Sequence, residues 1–150
     1  KSPLTFATMR EYLVNVNERL LSLNQLAHTY MQSRNDTYVM ELAIQYIRRN
    51  YPKPITLAMV SNEVSLNYAY FSTMFSKYTG KTFSEYLRNT RMEKAKELLR
   101  QPDISIAEVA AQVGYENYKS FYRAFKDAVG TTPVEYQQKK YRIHREDEKQ

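Results

Sequence analysis

Apolar residues recur at spacings of three and four along most of this chain, the signature of amphipathic helices. The clearest case is NYKSFYRAFKDAVG, residues 117–130, which as a helix carries Phe121, Phe125, Ala128 and Val129 on one face. The opposite face holds Tyr118, Lys119, Tyr122, Arg123 and Lys126, long donors and aromatic rings with only Asp127 close by. Asn117 can cap the start of this helix and Gly130 can supply a left-handed stop. Upstream, IAEVAAQ over 106–112 predicts a short helix closed by Gly114. Two helices joined by a tight glycine turn, the second exposing polar and basic residues, form a helix-turn-helix pattern.

The same pattern occurs earlier. Fifty residues back, Asn117 and Tyr118 fall on Asn67 and Tyr68, Phe121 and Phe125 on Phe71 and Phe75. Gly130 falls on Gly80, and Glu135-Tyr136 on Glu85-Tyr86. One supersecondary unit is therefore used twice. In the first copy Thr56 caps a helix over 57–63 with Leu57, Val60 and Ser61 inward, and Asn67 caps a second over 68–78. Between the copies a long helix is predicted over 84–101, opened at Ser84 and stopped by Pro102 and Asp103. Its roughly 17 residues span about 25 Å. Tyr86, Leu87, Thr90, Met92, Ala95, Leu98 and Leu99 form its packing faces, with Arg88, Arg91, Lys94 and Lys96 exposed. The second copy is capped by Asp103 or Ser105, and a last helix runs from Pro133 to about Tyr141.

Ahead of the repeat, Phe6, Met9, Leu13, Val16, Leu20, Leu23, Ala27 and Tyr30 alternate at three and four, a heptad seam. Val14, Leu21 and Leu26 broaden the stripe beyond what a strict two-stranded coil needs. Two readings follow: a dimerising or signalling helix, or a helix packed on its own or another domain. Ser33, Arg34, Asn35 and Asp36 are turn-prone, which predicts a boundary there. A new helix then has Val39, Leu42, Ala43, Tyr46 and Ile47 inward and ends near Asn50, before Pro52 and Pro54. The expected organisation is a leading helix over 1–36, a double helix-turn-helix domain over 37–142, and a charged tail over 143–150. Since the sequence opens on Lys1, it is expected to be the C-terminal piece of something longer.

Composition narrows the function. Cysteine is absent, which removes disulfides and thiolate metal sites. His28 and His144 lie at opposite ends, so they form no imidazole cluster. No nucleophile–base pair, metal-ligand group or glycine-rich phosphate loop is present, and the reading is of a non-enzyme without cofactors. Net charge is +6. Lys and Arg number 4 against 3 acidic residues over 1–36, 17 against 10 over 37–145, and 1 against 3 over the last five. The positive excess lies on the repeated part, as a polyanion partner requires. No secretory or membrane-spanning segment is visible, so a cytoplasmic location is expected.

With both units in view, residues 38–141 closely resemble the AraC/XylS family of bacterial transcription regulators. The second copy carries the most specific match: I-x-x-V-A-x-x-V-G-Y, then S-F-x-x-x-F-K, then G-x-x-P-x-x-Y. The resemblance implies an all-α fold of two helix-turn-helix subdomains joined by a long helix, each placing its second helix in the DNA major groove. Carried over by position, it implies base-reading residues Tyr68, Ala69, Ser72 and Thr73 in the first unit. In the second they are Tyr118, Lys119, Tyr122 and Arg123, and Lys77 and Lys126 extend the two sets. Ser61 and Ser65 depart from the pattern, Ser65 standing at the turn where the second copy has Gly114.

The leading segment is similar to the connector before the DNA-binding domain in YesN-type response regulators, which implies a receiver or sensor domain upstream. Double-stranded DNA, RNA polymerase and a second copy through residues 6–30 are the partners this reading implies, with activation the expected outcome. A protein–protein adaptor on the same scaffold is the alternative.

Overall fold

The computed structural model describes residues 9–101 and 103–147, with side chains described as far as residue 140. Phe6, Pro102 and the His144 side chain lie outside the described residues. Seven helices and no strand occur among them: α1 (Met9–Asn50), α2 (Leu57–Glu63), α3 (Tyr68–Thr79), α4 (Phe83–Leu98), α5 (Ile106–Gln112), α6 (Tyr118–Val129) and α7 (Pro133–Asp147). None is long and apolar enough to cross a membrane.

The predicted break at residues 33–36 is absent, and α1 runs through it. Ser33 accepts a bond from the Thr37 hydroxyl at 3.0 Å instead of opening a turn, so local polarity yields to helical continuity. The chain divides into two units between Val39 and Met40. In the first, the heptad positions Leu13, Leu20, Leu23 and Tyr30 are exposed, each at 55% or more, and so are Val14, Leu21 and Leu26.

The second unit holds the repeat. Its α1 residues Met40, Ala43 and Ile47 are fully buried, whereas Leu42 is 39% exposed. The inward face is therefore rotated from the expected one, with Met40 in place of Leu42. Val60 and Ser61 are buried on α2, Phe71 and Phe75 on α3, and Phe83 and Leu87 on α4. The Ser61 hydroxyl is satisfied by donating to the Ala58 carbonyl at 3.0 Å. A second cluster joins Met92, Ala95 and Leu99 of α4 to Val109, Ala110, Val113, Phe121 and Phe125. Each phenylalanine pair sits at i, i+4 with ring centroids 5.6 and 5.7 Å apart, and Tyr86 and Tyr136 meet the second ring edge-on. Ala128, expected on the buried face of α6, is exposed.

Helix α4 starts earlier than predicted. Thr82 rather than Ser84 is its cap, and its 16 residues span about 24 Å. It ends at Leu98, ahead of Pro102. Ser105, not Asp103, caps α5. Helix α7 continues past Tyr141 to Asp147, into the segment expected to be a tail. Gln137 anchors it by donating to the carbonyls of Gln101 and Ile104 at 3.1 and 2.9 Å.

Three reciprocal caps recur: Thr82 with Glu85, Ser105 with Glu108, and Thr132 with Glu135. In each, the carboxylate accepts from the cap backbone while the cap hydroxyl accepts from the glutamate N–H. Hydrogen bonds from backbone and hydroxyl of Thr82 hold the Glu85 carboxyl below its ordinary pKa, and those from Thr132 do the same to Glu135. For Glu108 the Ser105 hydroxyl leads and its backbone follows. A depressed folded pKa adds stability that is present above the unfolded value, about 4.3, and is lost as pH falls through the folded one. The melting temperature is therefore expected to drop on acidification below about pH 4. Replacing Glu85, Glu108 and Glu135 together by Gln is expected to lower melting at pH 7 and flatten that acid limb. An unchanged limb in circular dichroism melts would assign it to other carboxylates.

Candidate nucleic-acid interface

Each unit closes its turn with the same pair of backbone bonds. Ser65 and Leu66 donate to Asn62 and Ser61, and Gly114 and Tyr115 donate to Ala111 and Ala110. The second turn is one residue longer, with Tyr115 and Glu116 where the first has Leu66. Ser65 sits at φ 56°, the left-handed region that the sequence pattern required of it, and Gly114 at φ 91°. Asn67 then caps α3 by accepting from Ala69 and Tyr70, and Asn117 caps α6 by accepting from Lys119 at 2.7 Å. Buried phenylalanines fix which side of each helix remains outside.

On α6 that outer side carries Tyr118, Lys119, Arg123 and Lys126, all exposed, with Tyr122 half-buried between them. The Tyr118 and Tyr122 rings lie 6.0 Å apart and form an aromatic strip along the cationic row. Lys94 and Lys96 are paired with Glu97 and Glu93 on α4. Lys119, Arg123 and Lys126 make no side-chain hydrogen bond or ion pair among the described residues. Their donors are unused, as phosphate and base-edge contacts require.

On α3, Tyr68, Ala69, Thr73 and Lys77 are exposed and Ser72 is half-buried. The Thr73 hydroxyl donates to the Ala69 carbonyl at 3.1 Å, so its proton is committed and only lone pairs and methyl remain for a partner. Tyr68 and Ser72 also line an open groove of about 510 Å³ with Arg88, Arg91 and Tyr115. The predicted residues thus form two sets, one on α3 and one on α6.

The groove contains two arginines that the sequence pattern did not single out. Arg88 is exposed at its edge. Arg91, expected to be exposed, is half-buried: its Nε donates to the Tyr51 carbonyl at 2.8 Å and Nη2 to the Lys53 carbonyl at 3.0 Å. Burial lowers the Arg91 pKa and raises that of Tyr115, whose ring lies against it. Helical spacing alone gave no signal of this, because the carbonyl partners lie about forty residues away in sequence.

Two helix-turn-helix units on one long helix, each turning a polar second helix outward, define a double helix-turn-helix DNA-binding domain. Comparison with known proteins bears this out. The helix-turn-helix domain family matches residues 60–139. The regulatory protein PocR of Salmonella typhimurium is 34% identical over 66% of this chain and 33% of its own length. The C-terminal domain of the two-component response regulator yesN from Fusobacterium nucleatum is 38% identical, with a TM-score of 0.62 over 65% of this chain and 95% of that one. The DNA-binding domain of AdpA, a global transcriptional factor solved in complex with a target DNA, shares the fold at 21% identity. Its TM-score is 0.65 over 71% of this chain and 95% of that domain. The chain belongs to the AraC-type helix-turn-helix family of transcription regulators. It spans 13%, 33% and 47% of the length of three regulators that it matches.

Proposed function

We propose that this chain binds double-stranded DNA sequence-specifically as the output domain of a transcription activator in the cytoplasm, with α3 and α6 in successive major grooves. The observation that carries this is the row of uncommitted cations and tyrosines on α6, opposite Phe121 and Phe125. A groove about 12 Å wide admits one helix, and successive grooves on one face repeat at about 34 Å. Arg123 can donate twice to guanine O6 and N7, while Lys119 and Lys126 offer point charges to bases or phosphates. On α3 the hydroxyls of Tyr68 and Ser72, with Ala69 and the Thr73 methyl, suit A·T pairs, and Lys77 is the lone cation.

Duplexes selected from a random pool supply the test. Arg123→Ala is expected to weaken binding by about 1–3 kcal/mol and relax preference at one or two positions. Thr73→Ala is expected to cost at most about 0.5–1 kcal/mol, the size of one neutral hydrogen bond. A competition assay over single-base variants separates them, and a Thr73→Ala loss exceeding that of Arg123→Ala would make the first unit the main reader.

The exposed heptad face of α1 supports a second proposal, that the leading helix pairs with another copy of itself. Leu20 lies mid-seam and is 55% exposed. Leu20→Asp is expected to leave a folded but more monomeric protein by sedimentation, because a charge on a buried seam is costly. A wild type that is monomeric at high micromolar concentration would refute the pairing. An upstream receiver or sensor domain and contact with RNA polymerase complete the proposed scheme.

A further inference from the structure

The short connection between α1 and α2 belongs by sequence to the first helix-turn-helix, yet its contacts reach the second. Tyr51 packs against the cluster built from Met92, Val109, Phe121 and Phe125. Arg91, near the middle of α4, donates to the carbonyls on either side of Pro52, those of Tyr51 and Lys53. Its guanidinium carbon lies 5.5 Å from the centre of the Tyr115 ring, in the turn of the second unit. Beside that ring, a Cβ placed on Gly114 would come 2.6 Å from the Pro52 carbonyl oxygen and 2.9 Å from its carbon. The two turns therefore touch backbone to backbone, with no room for any side chain between them.

A pair of units joined by one helix is held at a single attachment, and α4 is that helix here. The turn at 51–53 adds a second attachment off the helix axis. We propose that Arg91 is a positioning residue: by clamping this turn between α4 and Tyr115 it fixes the two units relative to each other, and so sets the spacing of the two DNA segments they read. The spacing half of this statement rests on the DNA-binding reading above. Arginine suits the task because its planar fork holds two carbonyls in a fixed geometry while it lies over the Tyr115 ring, whereas a lysine ammonium is a point charge on a flexible stem. Arg91 itself is expected to touch no base, since its Nε and Nη2 hold the guanidinium on the carbonyls of Tyr51 and Lys53.

Two measurements test it, one with DNA and one without. In the first, wild type, Arg91→Lys and Tyr115→Leu are titrated against the selected duplex and against versions with one or two base pairs inserted or removed between the half-sites. Wild type is expected to lose affinity by about tenfold or more when the spacing changes, the scale of one lost base contact. In Arg91→Lys that penalty is expected to shrink severalfold, with base preference inside each half-site unchanged. An unaltered spacing profile in a folded Arg91→Lys protein overturns the proposal. If that variant does not fold, Tyr115→Leu, which keeps apolar packing while removing the ring that faces Arg91, decides by the same criterion.

The second measurement uses the absence of cysteine from the sequence. Spin labels on Tyr78→Cys and Asp127→Cys, near the ends of α3 and α6, report the distance between the units. A narrow distribution in the otherwise wild-type protein that broadens with Arg91→Lys is expected. Equal widths overturn the clamp, whatever the protein does with DNA. Broadening with Arg91→Lys in a protein whose wild type binds no duplex would instead sink the DNA-binding reading and keep the clamp.

Discussion

Raising salt from about 50 to 200 mM is expected to weaken DNA binding by a factor on the order of 250 to 4,000. The repeat carries 17 lysines and arginines over residues 37–145. Several are already occupied: Arg91 holds backbone carbonyls, and Lys94 and Lys96 are paired with glutamates. If about 5 to 7 of the others meet phosphates, log K falls with a slope of about −4 to −6 against log salt. The effect comes from counterions released by the DNA, so it is expected for specific and random duplexes alike. A slope near zero on the selected duplex would show that the cations of α6 do not face a polyanion.

Phe125→Ala is expected to cost about 3–5 kcal/mol, comparable with the whole stability of a marginal domain. The ring is fully buried, 5.7 Å from Phe121 and 5.6 Å from Tyr136, so truncation opens a cavity at the meeting point of α4, α6 and α7. Neither helix can close it, because α6 is capped at both ends by Asn117 and Gly130 and α7 is tied down through Gln137. Thermal melts are expected to show a large fall in midpoint, and DNA binding is expected to fail at temperatures where the wild type still binds. A midpoint unchanged within a few degrees would mean that the cavity collapses or fills.

Much of this architecture was legible because it is local. Within each copy, the paired phenylalanines, the asparagine cap and the glycine at the reading-helix end lie within fourteen residues of one another. They fix helix ends and inward faces without reference to the rest of the chain. What eluded the pattern depends on longer reach. Polar residues 33–36 read as a turn, but nothing there removes a donor or forces a break, and the helix continues. Arg91 read as surface charge, since its spacing matches that of Arg88 and Lys94. Its role becomes visible only when the turn at 51–53 is folded against it. The same holds for Met40, which is buried where Leu42 was expected, a rotation of the inward face that the polarity of α1 alone does not specify.

The two turns also carry a consequence for how this sequence can drift. At Ser65 a left-handed backbone costs a serine roughly 1 kcal/mol relative to glycine, and glycine's freedom in the unfolded chain returns much of that. The site is exposed, so serine, asparagine, aspartate and glycine are near-equivalent there, and random substitution among them leaves little for selection to act on. At Gly114 the same backbone geometry is combined with a carbonyl where the first side-chain atom would stand. Two halves of one duplication thus differ in mutational freedom at the matching position: one is a place of neutral variation, and the other is closed to every residue but one.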